Sequence, residues 1–197
     1  MSLVDLIAQA DERGLAASGL ACLDRCVPLL GGDDEILRPL WGNLTEASDT
    51  ADWGGILDQI RGKLGDSEAD GDDEADGDSD ADGDDEAVLL ARRMLAAAPA
   101  ERTGAQVRVW ADACSVASLQ IHRLLDPADD PATLDSRRAG RTEAMPPLAA
   151  AELRRQITVL EVLAEHGAGG LRRALEVSVE GRRVLRAVVS RRARGRK

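Results

Sequence analysis

An all-α fold is what this sequence predicts, and three observations predict it. The chain has three Trp but neither Phe nor Tyr. Ala, Leu and Val must therefore build the core, which favours close-packed helices over aromatic and β-branched sheets. Apolar residues recur at three- and four-residue spacing through most of its length, the period of an amphipathic helix. Strand patterns with hairpin turns are missing. With 197 residues, 44% of them apolar and 31% charged, the chain can bury a core of its own.

Charge divides the chain into three. Residues 1–63 carry a balance of -6, residues 64–87 hold 13 acids and no base, and residues 88–197 carry +8. The acidic centre is a period-six repeat, with Ala69, Ala75 and Ala81 each opening an Ala-Asp-Gly-Asp unit. It holds no residue to bury between Leu64 and Val88, and its charges repel, so it reads as an extended acidic linker. The expected layout is an N-terminal helical unit at 1–64, a disordered acidic linker at 65–86, a C-terminal helical bundle at 87–190 and a basic tail at 191–197. The two units stand as separate small bundles, or as one bundle with the linker looped out.

In the first unit Ser2 and Asp5 form an N-cap signature ahead of Leu3, Leu6, Ile7 and Ala10. A second helix is expected over Leu15–Leu30, with Leu20, Leu23, Val27 and Leu30 as its stripe and Pro28 bending or shortening it. After Gly31-Gly32 a short helix carries Ile36, Leu37, Leu40 and Trp41. Trp53, Ile56, Leu57, Ile60 and Leu64 mark another. In the second unit a helix over Glu86–Ala98 stops at Pro99. Val107, Trp110, Cys114, Ala117, Ile121 and Leu124 then keep a 3-4-3-4-3 spacing, a narrow seam of coiled-coil type. This seam packs within its own unit or forms the contact of a homo-oligomer. Residues 126–145 read as a surface loop. Helix resumes at Pro146-Pro147 with Leu153, Ile157, Leu160 and Ala164, and His166-Gly167 caps it. The last helix, from Leu171, is weakened at 177–181 and frays into the tail.

Motifs with chemistry are few. Asp78, Asp80, Asp82 and Gly83 match the opening of a calcium loop, but Asp85 and Leu89 occupy its apolar-anchor and bidentate-Glu positions. The hexad repeat generates this spacing by itself. Cys22 and Cys26 share a helix face, yet only Cys114, His122 and His166 could complete a metal site, so core packing is expected. No nucleophile–base–acid set, di-iron Glu-x-x-His pair or phosphate loop is present. The expectation is a protein without catalytic residues, cofactor or metal. Three cysteines are too few for a disulfide framework, and no run is apolar enough to span a membrane. A cytoplasmic setting follows as the expectation, and the Ala, Gly, Asp and Arg bias is that of a GC-rich, bacterial genome.

The basic end is the strongest functional signal, with ten bases and two acids from Leu171 to Lys197. Candidate contacts with an anion or partner are Arg182, Arg183, Arg186, Arg191, Arg192, Arg194 and Arg196, whose planar donors suit carboxylate or phosphate. The leading expectation is a helical protein-interaction or regulatory module, its acidic linker competing for the arginines. The alternative is a nucleic-acid-associated regulator, against which stands the lack of Phe and Tyr stacking platforms. A pocket between helices, in an enzyme or a small-ligand binder, leaves no motif.

Overall fold

The computed structural model describes residues 1–45, 52–65, 79–128 and 130–195, with only the backbone of 65 and 79–82. Among these residues every regular element is helical: α1 Leu3–Gln9, α2 Glu12–Cys26, α3 Arg38–Thr45, α4 Trp53–Gly65, α5 Ser79–Ala96, α6 Gly104–Leu125, α7 Leu134–Arg138, α8 Pro147–His166 and α9 Leu171–Gly195. Short 3-10 turns at Val27–Leu29 and Gly167–Gly170 follow α2 and α8.

Of the two layouts expected, the single bundle is the one observed: the described helices form one packed arrangement. A single core runs from Leu3 to Leu185, and its centre is α2, which packs on α6, α8 and α9 together. Residues 14–26 of α2 are all buried, so this helix has no solvent face left and can stand only inside a larger bundle. Small residues make the close approach. A Cβ on Gly19 would lie 2.8 Å from the Trp110 ring of α6. Trp110 in turn meets Trp53 of α4 edge to face, centroids 6.2 Å apart. Two of the three tryptophans thus join the halves that the charge pattern separates.

Local signals at helix ends were well marked. Ser2 and Asp5 form the capping box of α1, α2 gives way to a 3-10 turn with Pro28 in its first turn, and Gly167 at φ +52° ends α8. Other ends are closed by distant side chains. Arg108 of α6 donates to the carbonyls of Ile7, Ala8 and Ala10 behind α1, and Arg61 of α4 to those of Leu95, Ala96 and Ala98 behind α5. Each guanidinium satisfies carbonyls that a helix end leaves without partners.

Four expectations need correction. The acidic segment is helical from Ser79 onward, so the last part of the expected linker is the start of α5. That helical backbone also excludes a calcium loop beyond Asp78, while residues 66–78 lie outside those described. Residues 126–145 hold the short helix α7, pinned because Arg137 and Arg138 are buried in ion pairs with Asp130 and Asp112. The seam of α6 is no narrow stripe, since Ala111, Ser115, Ser118, Leu119 and His122 are buried beside it; α2, α5 and α8 all pack on this helix. Finally α9 is unbroken through 177–181 and continues through 191–195.

Gly181 lies inside that continuous helix at a point of close approach. A Cβ there would lie 2.3 Å from Arg25 Cδ and 2.9 Å from Arg155 Cδ, so the glycine is a notch for two arginine stems. Gly19→Ala, whose methyl would meet the Trp110 ring at 2.8 Å, is expected to destabilise by about 1–3 kcal/mol through overpacking. Gly62→Ala, with nothing within 4 Å of its added methyl, should stabilise by about 0.5–1 kcal/mol. Urea unfolding followed by tryptophan fluorescence measures both.

Candidate functional site

The α9 helix buries Leu171, Ala174, Val177, Ser178, Gly181, Arg182 and Leu185 on one side, which leaves the opposite side to solvent. Arg172 and Arg173 near its start are offset by Glu176. Further along, Arg183, Ala187, Arg191 and Arg194 follow a 4-4-3 spacing and are all exposed, so three guanidinium groups share one face. Arg186 stands beside them and pairs with Asp34 at 2.6 Å. Arg192 turns the other way and meets Asp84 of α5 at 2.8 Å, in a pair only about one-fifth exposed on each side. An acid of the repeat thus touches an arginine of the basic end.

The structure therefore sorts the seven candidate arginines. Arg183, Arg191 and Arg194 present an open face, Arg186 is half-engaged, and Arg192 is held by Asp84. Arg182 is not on that face at all: it is 5% exposed and donates to Asp24 at 2.6 Å. Its placement follows from the helix period, which puts 178, 181, 182 and 185 on the buried side. Arg196 lies outside the described residues.

A second polar assembly went unseen in the sequence. At the centre of the bundle Arg25 of α2 grips Glu152 of α8 with Nε and Nη2, each 2.7 Å from a carboxylate oxygen, both side chains fully buried. Glu152 also accepts from Ser118 Oγ at 2.7 Å and Gln156 Nε2 at 2.8 Å. Gln156 takes the Ser115 hydroxyl at 2.7 Å, and Arg138 donates to that same hydroxyl. His122 Nδ1 donates to the Ser118 carbonyl at 2.7 Å, because a carbonyl can only accept; its Nε2 then faces Glu152 at 3.6 Å without a hydrogen bond. Burial holds the His122 imidazole below its ordinary value, against the pull of Glu152. Burial by itself would raise Glu152, but the Arg25 charge and the hydrogen bonds from Arg25 and Gln156 outweigh it and hold the carboxyl at about 2.

The expected α8 stripe is correspondingly rotated. Leu153 and Leu160 are buried, but Ala164 is exposed, and Glu152 and Gln156 take the inner positions. Hydrophobic periodicity cannot locate a buried carboxylate whose partner is 127 residues away. The one available hint was that Glu152 and Gln156 stand four apart beside the apolar stripe.

The three cysteines are buried and free, as core packing requires. Burial pushes Cys22 up to about 12 and raises Cys26 and Cys114 as well, which leaves all three as inert thiols. Among the described residues no three His, Cys, Asp or Glu side chains gather into a metal-binding group, and no helix is long and apolar enough to cross a membrane.

An all-α bundle with a buried ionic centre and an arginine-bearing outer helix is the class that this geometry defines. Compared with known families, curated proteins and solved structures, the chain matches none.

Glu152→Gln leaves Arg25 buried without its counter-charge and is expected to cost about 3–5 kcal/mol. Because the folded carboxyl lies at about 2, below its ordinary 4.5, its contribution is complete above pH 4.5 and is lost as pH falls toward 2. His122, held neutral by the fold, acts in the same direction below its ordinary 6.5. Burial pushes Asp24 up to about 6 against Arg182 and Arg25, so that group opposes them and favours the folded state as pH falls through 6. Thermal melts from pH 7 to pH 2 should show a steep acid limb below 4.5 that Glu152→Gln flattens. Ellman's reagent should find no reactive thiol in the native protein and three after urea.

Proposed function

We propose that the protein is a non-enzymatic interaction module whose C-terminal half of α9 docks an acidic surface of a partner protein. Its own acidic segment is the intramolecular competitor for that face. The observation that supports this reading is the Asp84–Arg192 ion pair, which joins the acidic stretch to the basic helix within one fold. Because Asp84 joins the acidic stretch to α9, the thirteen acids of 64–87 and the exposed Arg183, Arg191 and Arg194 compete within one molecule. A tethered competitor acts at high effective concentration. It blunts weak or singly charged ligands and yields to a partner that presents several carboxylates at once.

Exposed arginine forks suit carboxylates and phosphates alike. A protein partner is favoured because α9 carries no aromatic residue between its arginines, whereas single strands are usually held by stacking. The test is fluorescence anisotropy of the full chain with labelled poly-glutamate and with a labelled DNA duplex, at low and at physiological salt. Asp84→Asn, and separately deletion of 66–78, should tighten poly-glutamate binding by about two- to fivefold at low salt, the ~0.4–1 kcal/mol of one partly sheltered ion pair. Arg191→Gln with Arg194→Gln should weaken it. Unchanged affinity in the Asp84 and deletion variants removes the competitor. Tighter binding of the duplex, with a steep salt dependence lost in the arginine variant, transfers the face to nucleic acid.

A further inference from the structure

Helices α5 and α6 leave a groove between two matched stripes. Positions 90, 93, 94 and 97 along α5 and its end face 110, 113, 114 and 117 of α6, each an i, i+3, i+4, i+7 set that keeps one side of a helix for two turns. Alanine at 97, 113 and 117 is too short to close the gap. A space of about 550 Å³ therefore stands open above the buried Trp110 and Cys114, and Leu134 of α7 completes its lining.

The floor of this groove asks for no polar partner. The indole Nε1 of Trp110 already donates to the Met94 carbonyl at 2.9 Å, and the Cys114 thiol is held protonated by burial. What gains by lying there is hydrocarbon. The volume is that of a small-molecule site, ~300–1,000 Å³. The two stripes run ~10 Å at 1.5 Å per residue, a length that suits an unbranched chain of medium size.

One charge overlooks the groove. Arg93 belongs to the lining and is exposed, and it has no ion pair or side-chain hydrogen bond with any described residue. Gln120 adds a neutral amide, and no carboxylate lines the space. A cationic ligand would be repelled by this guanidinium, and a neutral one would leave it unmatched. An anion suits its planar donors. The single charge of a carboxylate balances it, whereas a phosphate monoester brings about two.

We infer that the groove between α5 and α6 binds a medium-chain carboxylate of the fatty-acid class, its chain over Trp110 and Cys114 and its head group on Arg93. The site is independent of the α9 face proposed above, and neither stands or falls with the other.

The experiment titrates the full chain with hexanoate, octanoate and decanoate by calorimetry, with octanol and octyltrimethylammonium as neutral and cationic controls. Affinity should rise by about two- to fourfold for each added CH₂. In the ¹⁵N-labelled protein the indole N–H resonance of Trp110 should shift saturably while that of Trp41 stays in place. Arg93→Gln should weaken octanoate by about two- to fivefold, as for a partly exposed ion pair, and leave octanol unchanged. Ala113→Leu, which fills the groove from an exposed position of α6, should abolish binding, with circular dichroism melts reporting that the variant is folded. If it does not fold, Ala97→Leu at the end of α5 decides. No saturable binding of any carboxylate overturns the inference, and so does binding that survives the groove-filling variant. Equal affinity for the alcohol or the cation overturns it as well. Sedimentation gives the last outcome: Val109, 73% exposed, stands one turn before Ala113, and a concentration-dependent dimer dispersed by Ala113→Leu would assign the groove to a second copy instead.

Discussion

Everything in this bundle is arranged around one buried ion pair, Arg25 with Glu152. A guanidinium and a carboxylate taken fully out of water lose several kcal/mol of hydration each, which only a well-formed pair with further hydrogen bonds recovers. The fold supplies those conditions from four helices. Residues Ser118 and Gln156, from α6 and α8, complete the coordination of the carboxylate, and Gly181 of α9 leaves room for the arginine stem. Because a displaced partner would leave a bare charge in the core, α2, α6, α8 and α9 can meet in very few registers.

Arginine recurs in this structural role. Arg61 and Arg108 close the ends of α5 and α1 from other helices, Arg102 lies over the Trp53 ring at 5.9 Å while pairing with Glu12 at 2.6 Å, and Arg137 holds Asp130 and two loop carbonyls. A core poor in aromatic residues and made of small aliphatic side chains leaves polar seams between helices. The long planar guanidinium fills such seams with a chain that packs and a head that donates. Arginine abundance therefore measures internal cross-linking here as much as surface charge, and Arg182 is the residue at which the two meanings part.

The outer half of α9 and the acidic start of α5 show the other use of charge. Asp84 and Arg192 lie at the periphery, where their pairing is weakened by salt and replaceable by an external anion. The centre of the bundle is built from charges that cannot exchange partners, and its edge from charges that can. That contrast is the physical basis of the interaction role proposed for the second set.

Helical class, the capping box at Ser2, the proline-limited end of α2, the apolar faces of α4 and α6 and the glycine stop of α8 were all legible in the sequence, because each is written in residues within one or two turns of one another. Burial of the cysteines was legible too, from their place on an apolar stripe. The union of the halves into one bundle was decided by tertiary structure, through the close fit of Gly19 against Trp110 and of Trp53 against the same ring. So were the buried carboxylate of Glu152, the inward turn of Arg182, the helical state of 191–195 and the groove between α5 and α6. A periodic pattern states which side of a helix is apolar. It does not state which distant charge will make it favourable to bury a polar residue on that side, and that depends on partners up to 158 residues away.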